Sequence, residues 1–212
     1  MAIYIDSAIL NEVESARSLN WVRGVTTNPI LLSKAGGDPS GVFRNLANLK
    51  FRQIFYQLVS PSLDSMYQEA QTAKKIAEDA LVLKIPPTKV GFQFVSQYGN
   101  QIPCCVTAVY SPAQALVACE AGARFIAVYV NRATRLMGDG LQLVREIADI
   151  LKSYDTEIIA ASLKSTEEAV ASLAAGAHHL TLPYAILNGL IAHPLSEQTV
   201  EEFQTNGVGI TS

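Results

Sequence analysis

Residues 81–87 read LVLKIPP: four apolar residues around one lysine, closed by two prolines. The run is too short for a helix and stops where proline cannot continue a ladder, so it reads as a buried strand. Side chains alternate along a strand, which puts Val82 and Lys84 on one face and Leu81, Leu83 and Ile85 on the other. Lys84 then sits near the strand's C-terminal end, where desolvation favours a neutral, nucleophilic amine. The plainer reading is a lysine that snorkels to solvent from a strand end.

Outward from this run, strand-like and helix-like segments alternate along the chain. The strand-like runs are 3–6, 24–27, 54–59, 81–85, 104–107, 125–130, 157–161 and 179–182. Helical spacing or good helix formers fill 62–78, 111–120, 141–154 and 165–174. Regular β/α alternation implies a parallel sheet. Eight strands in 212 residues fit an α/β fold of the (β/α)8 TIM barrel type better than an open doubly wound sheet. Ser165 with Glu168 matches a capping box, Gly36-Gly37-Asp38-Pro39 marks a turn, and Gly138 and Gly140 mark another. One domain is expected over 1–212. Its last part, 195–212, is a helix (195–204) with Val200 and Phe203 on one side, followed by a mobile tail, GVGITS. That helix is expected to pack on the barrel or on a neighbouring subunit.

The totals narrow the function classes. With 49% apolar and 17% charged residues the chain affords a large core, and a net charge of −3 argues against a nucleic-acid surface. Three cysteines, two of them adjacent (Cys104, Cys105), form no disulfide framework and point to a reducing, cytoplasmic compartment. The start, MAIYID, has no basic n-region of a signal peptide, and no apolar run approaches membrane-spanning length, so no membrane partner is expected. His178, His179 and His193 lack metal-binding spacing, and neither a G-x-G-x-x-G, a Walker loop nor a G-x-S-x-G occurs, so no metal or cofactor is expected.

In such a barrel the C-terminal strand ends build the active site. Those ends supply Asp6, Thr26, Thr27, Asn28, Gln57, Lys84, Thr107, Tyr129 and Ser162. Parity agrees: Tyr4 pairs with Asp6, Phe55 with Gln57, Cys105 with Thr107, Ala127 with Tyr129 and Ala160 with Ser162, while Ile3, Ile5, Ile54, Leu58, Ile126 and Val128 face the helices. Each residue has a bland alternative. Asp6 is also placed to cap the first helix, and Thr26, Thr27 and Asn28 before Pro29 are ordinary turn chemistry. Gln57 and Thr107 can bond locally, and Tyr129 can fill the barrel. Arg132 falls in a loop, where a surface charge is the default. Ser162, before the helix capped at Ser165, is well placed for phosphate. Seven polar strand ends, one of them the lysine's, describe a pocket.

Five motifs fall in order: GVTTNP (24–29), LKIP (83–86), TAVYS (107–111), VNR (130–132) and AASLK (160–164). Together they resemble the small transaldolase family, which includes the fructose-6-phosphate aldolases, over nearly the whole chain. The resemblance implies metal-free class I aldolase chemistry on a (β/α)8 barrel acting on sugar phosphates. In it Lys84 matches the Schiff-base lysine, Asp6 the acid/base carboxylate and Asn28 a residue orienting a substrate hydroxyl. Arg132 and Ser162 match phosphate-binding positions. Transaldolases of the family resemble one another in a glutamate on the third strand and a phenylalanine on the sixth. Gln57 and Tyr129 are instead similar to the aldolase pattern. The segments ATRLMGDG after Arg132 and IPPTKVGFQF after Lys84 depart from that pattern. The rival readings are a transaldolase and a silent sugar-phosphate-binding barrel. The resemblance also implies a ring-based homo-oligomer, a pentamer or decamer.

Overall fold

The computed structural model describes residues 1–210. Eight parallel strands, β1 (Ala2–Asp6), β2 (Val22–Thr26), β3 (Gln53–Gln57), β4 (Leu81–Ile85), β5 (Cys104–Val109), β6 (Phe125–Tyr129), β7 (Glu157–Ala161) and β8 (His179–Leu182), close in sequence order into one barrel. The helices are α1 (Leu10–Ser18), α2 (Pro29–Ala35), α3 (Pro39–Asn48), α4 (Leu63–Ala77), α5 (Lys89–Tyr98), α6 (Pro112–Glu120), α7 (Val130–Met137), α8 (Gly140–Leu151), α9 (Thr166–Ala174), α10 (Tyr184–Gly189) and α11 (Pro194–Asn206). The TIM barrel expected from the alternation is therefore the fold, with α11 as the extra C-terminal helix.

Strand alternation divides the core in two. Tyr4, Phe55, Val82, Cys105, Phe125, Ala127, Ile159 and Ala161 fill the barrel interior. Ile5, Ile54, Leu58, Leu81, Leu83, Ile85, Ile126 and Val128 pack outward among the helices. On β4 this is the predicted split, with Val82 below Lys84 on the inner face. Gly24 lets β2 approach β3: a Cβ there would lie 2.2 Å from the Gln53 carbonyl oxygen.

Some readings are corrected. On β7 the inward pair is Ile159 and Ala161, and Ala160 faces the helices, so Ala160 and Ser162 do not share the mouth by simple alternation. Ser162 has φ 62°, a left-handed kink that breaks the strand's parity and returns the side chain to the mouth. β5 runs on to Val109 through a second left-handed residue, Ala108 (φ 57°), where its pairing with β6 shifts register. Arg132 lies on α7, not in a loop. The box at Ser165 is half built. Ser165 Oγ accepts from the Glu168 N–H, but the Glu168 carboxylate accepts from the Lys164 N–H and the Asn131 amide instead. Asp6 caps nothing, because α1 starts after Ile9 without a side-chain cap. α11 has no buried residue, and Phe203 is 70% exposed. The reading of the tail as mobile includes residues 211 and 212, which lie outside the described residues. No helix among the described residues is long and apolar enough to cross a membrane.

Candidate active site

The strand C-termini enclose a cavity of about 300 Å³. Phe55, Cys105, Ala127, Ile159 and Ala161 make its apolar walls and floor, and Asp6, Thr26, Asn28, Lys34, Lys84, Tyr129, Arg132, Ser162, Lys164 and Thr181 are its polar lining. Lys84 is 6% exposed, so its amine meets the cavity and little else. Its Nζ donates to the Thr27 carbonyl at 2.8 Å. Cys105, its register partner on β5, is pushed up to about 12 by burial, against the pull of the Lys84 charge, and remains a neutral thiol.

Across the cavity, Asp6 ends β1. Its carboxylate accepts from Thr26 Oγ1 at 2.7 Å, and that hydroxyl lies 2.5 Å from Thr181 Oγ1. Both threonines are buried, so this chain of hydroxyls fixes the carboxylate's position from β2 and β8. Asn28 caps α2: its Oδ1 accepts from the N–H groups of Ile30 and Leu31, both at 3.0 Å. Its Nδ2 is left without a protein partner among the described residues and borders the cavity. Tyr129 closes β6, and its phenol oxygen accepts from Thr107 Oγ1 at a long 3.4 Å. The Arg132 guanidinium sits over the Tyr129 ring, 5.0 Å from its centroid, held at the rim by cation–π attraction.

Not every expected residue lines the cavity. The Thr27 hydroxyl turns back to donate to the Phe55 carbonyl at 2.7 Å, so Thr27 reaches the site through its backbone and not as a side-chain ligand. Thr107 is buried and meets the cavity lining only through its contact with the Tyr129 hydroxyl. Gln57 pairs with Lys84 in register on β3 but is not among the residues that line the cavity. Three polar lining residues were given no role in the sequence reading: Lys34, Lys164 and Thr181. Thr181 was legible, since HLTL at 179–182 alternates and puts Thr181 on the inner face. Lys34 and Lys164 carried no signal beyond being lysines near mouth segments. No group of three or more His, Cys, Asp or Glu side chains able to hold a metal occurs among the described residues.

A closed parallel barrel whose strand ends hold one buried amine, a hydrogen-bonded carboxylate and a cationic rim defines a TIM barrel with a lysine-centred cavity at its mouth. The chain belongs to the Transaldolase/Fructose-6-phosphate aldolase family, whose model matches residues 3–210. It is 35% identical over 209 residues to a protein called "Probable transaldolase" from Desulforapulum autotrophicum, covering 97% of each chain. A protein of the same name from Alkaliphilus metalliredigens is 35% identical over 213 residues, covering 99% of each. Among solved structures, a thiamine phosphate pyrophosphorylase from Pyrococcus furiosus superposes with a TM-score of 0.61 over 96% of this chain and 94% of its own, at 15% identity, a likeness of fold alone.

Proposed function

We propose that this chain is a metal-independent class I aldolase that reversibly cleaves a ketose phosphate such as fructose 6-phosphate to dihydroxyacetone and glyceraldehyde 3-phosphate. The observation that carries the reading is Lys84, a buried amine opening onto the cavity that Asp6 faces. Lys84 Nζ attacks the C2 carbonyl, water leaves, and an iminium forms. The Asp6 carboxylate takes the proton of the C4 hydroxyl, the C3–C4 electron pair flows into the iminium, and the aldehyde departs. The enamine is protonated at C3, and water hydrolyses the resulting iminium to free the three-carbon ketone and the amine. Asn28 Nδ2 donates to a hydroxyl of the donor fragment. Arg132 and Ser162, both on the rim, receive the distal phosphate. Tyr129, with Thr107 behind it, positions the water used in hydration and release.

A second reading, a transaldolase passing the same three-carbon unit to an aldose phosphate, is favoured by the names of the relatives. Against it stand Gln57 and Tyr129 where the resemblance places glutamate and phenylalanine in transaldolases. The deciding experiment incubates purified protein with fructose 6-phosphate and no acceptor. Release of free dihydroxyacetone is expected, and none without an added aldose phosphate would favour the transferase.

The three cysteines are free and buried, which suits a reducing cytoplasm. The bare face of α11 suits a homo-oligomer, in which a neighbouring copy covers Val200 and Phe203.

A further inference from the structure

The end of the barrel opposite the mouth carries a second polar cavity, of about 240 Å³, where β2 and β3 begin. Arg17, Arg23, Lys50 and Arg52 line it, and no carboxylate does. None of the four forms an ion pair among the described residues. Elsewhere on this end the fold answers its arginine: Arg124, just before β6, meets Glu157 of β7 at 2.9 Å. The chain is net negative, with 16 Lys and Arg against 19 Asp and Glu, so four unanswered cations in one cavity do not follow from composition.

Helix ends account for part of this charge. α1 and α3 both terminate here, and each C-terminus carries about half a negative charge, so the two offset roughly one cation of the four. The backbone holds the others in place at a cost. Lys50 follows Leu49, the C-cap of α3, at φ 54°, the position where α6 and α9 use Gly122 and Gly176. A lysine in that left-handed conformation is strained where glycine is not. Arg23 falls at the register shift between β1 and β2, where Ile3 pairs with Val22 and Tyr4 with Gly24. It is the extra residue of a bulge, a device that re-aims a side chain off the ladder, and it is exposed. Arg17 is pinned: its Nε donates to the Leu49 carbonyl at 3.2 Å and its guanidinium lies 5.6 Å from the Phe51 ring centroid. Its two terminal nitrogens have no protein partner among the described residues.

We propose that this cavity is a binding site for a diphosphate group, separate from the catalytic mouth. Three guanidinium forks and one ammonium are donors only, and a planar guanidinium matches phosphate oxygens in pairs. A diphosphate carries several negative charges on neighbouring oxygens and answers what the helix ends leave, which a single carboxylate does not. Binding removes the repulsion among the four cations and so stabilises the folded chain by mass action. The site owes nothing to Lys84, so it stands or falls independently of the aldolase reading.

The test is calorimetric titration of inorganic pyrophosphate, and separately of ADP, at ionic strength held constant with chloride. It is run in the Arg132→Ala background, so that the phosphate position at the mouth does not contribute. Saturable binding at one site is expected. Arg23→Gln with Arg52→Gln should weaken it by ~10-fold or more, the scale of lost charge-assisted contacts, and Arg23→Lys with Arg52→Lys should keep most of it. Melting temperatures without ligand check that each variant is folded, and pyrophosphate should raise that of the parent protein more than that of the Gln pair. Tighter binding of ADP than of pyrophosphate assigns the diphosphate to a nucleotide, and the reverse assigns it to the free anion. No saturable binding, or equal binding by the parent and the Gln pair, overturns the proposal. So does a Gln pair that changes the oligomeric mass with its pyrophosphate affinity intact, which gives this face to a neighbouring copy.

Discussion

Lys84 Nζ donates to the Thr27 carbonyl oxygen at 2.8 Å, a contact from β4 to the residue after β2. A carbonyl is a weaker anchor for an ammonium than a carboxylate, and it is neutral. The amine is held toward the cavity by a neutral acceptor and not by an ion pair. Because the acceptor is backbone, no side-chain change at Thr27 removes it. Thr27→Val should cost stability through the lost bond to Phe55 while leaving the amine's anchor in place.

Borohydride in the presence of dihydroxyacetone or fructose 6-phosphate should fix a stable amine on Lys84. Peptide mass spectrometry should place it between residues 81 and 89. An adduct on Lys89, or on the rim residue Lys164, would refute the assignment of the nucleophile. Activity should also survive prolonged chelation, and zinc-restorable loss would count against class I chemistry.

Tyr129→Phe keeps the ring under Arg132 but removes the hydroxyl that meets Thr107. Release of free dihydroxyacetone should slow by ~10–100-fold, the low end of what a positioned proton-transfer group contributes. Transfer to erythrose 4-phosphate should suffer far less. An unchanged ratio of transfer to cleavage would take the tyrosine out of the aldolase argument.

Arg132→Ala should cost roughly 1.5–3 kcal/mol in transition-state binding of phosphorylated substrates, or ~10–100-fold in kcat/KM. Non-phosphorylated aldehydes condensing with dihydroxyacetone should change much less. Equal losses for both would make Arg132 a structural partner of Tyr129 only.

His179 gives the fold a pH response at the opposite end of the barrel. Its Nδ1 accepts from the Ala2 N–H at 2.9 Å, and its Nε2 lies 3.2 Å from Glu157 Oε2, near enough to attract but poorly aligned to bond. Burial pulls its pKa below the ordinary 6.5, outweighing the Glu157 attraction that raises it. The unfolded chain therefore binds this proton more readily than the folded one. The stabilisation is present above pH ~6.5 and is lost as the pH falls through that value toward the lower folded pKa. Melting temperature should drop between pH 7 and pH 5, and the drop should shrink in His179→Gln. An equal slope in the variant would assign it to other groups.

Removing residues 194–212 should lower the oligomeric mass measured by light scattering, because α11 buries none of its own side chains. Phe203→Asp should do the same with the chain intact. A wild-type monomer would leave α11 without the proposed partner.

The barrel was legible because its signals are local. Proline after β4, period-two alternation and turn residues each act within a few positions, and β4 and β8 fall on the predicted residues. The site was legible where it follows strand parity, as at Asp6, Lys84 and Tyr129. It was not where the backbone leaves that regime. The left-handed residue at Ser162 reverses the parity expected for β7, and no sequence rule marks a serine for φ 62°. Gln57 ends β3 as predicted without lining the cavity, and Thr27, just past the end of β2, turns its hydroxyl to the Phe55 carbonyl. Lys34 reaches the mouth along a helix side, a place that reading strand ends does not inspect.

Asn28 ends with a polarity fixed from below. Ordinarily a side-chain amide can rotate its oxygen or its nitrogen toward a ligand, adapting to acceptor or donor. Here the first two amides of α2 hold the oxygen, so only the nitrogen is on offer. The α2 end of the cavity thus speaks one half of the hydrogen-bond language. It answers lone pairs on hydroxyl, carbonyl or phosphate oxygen, and an aminoketose bearing a terminal ammonium would meet only like-polarity N–H groups there. Under the proposed function, which sugars fit is set in part by how a seven-residue helix begins.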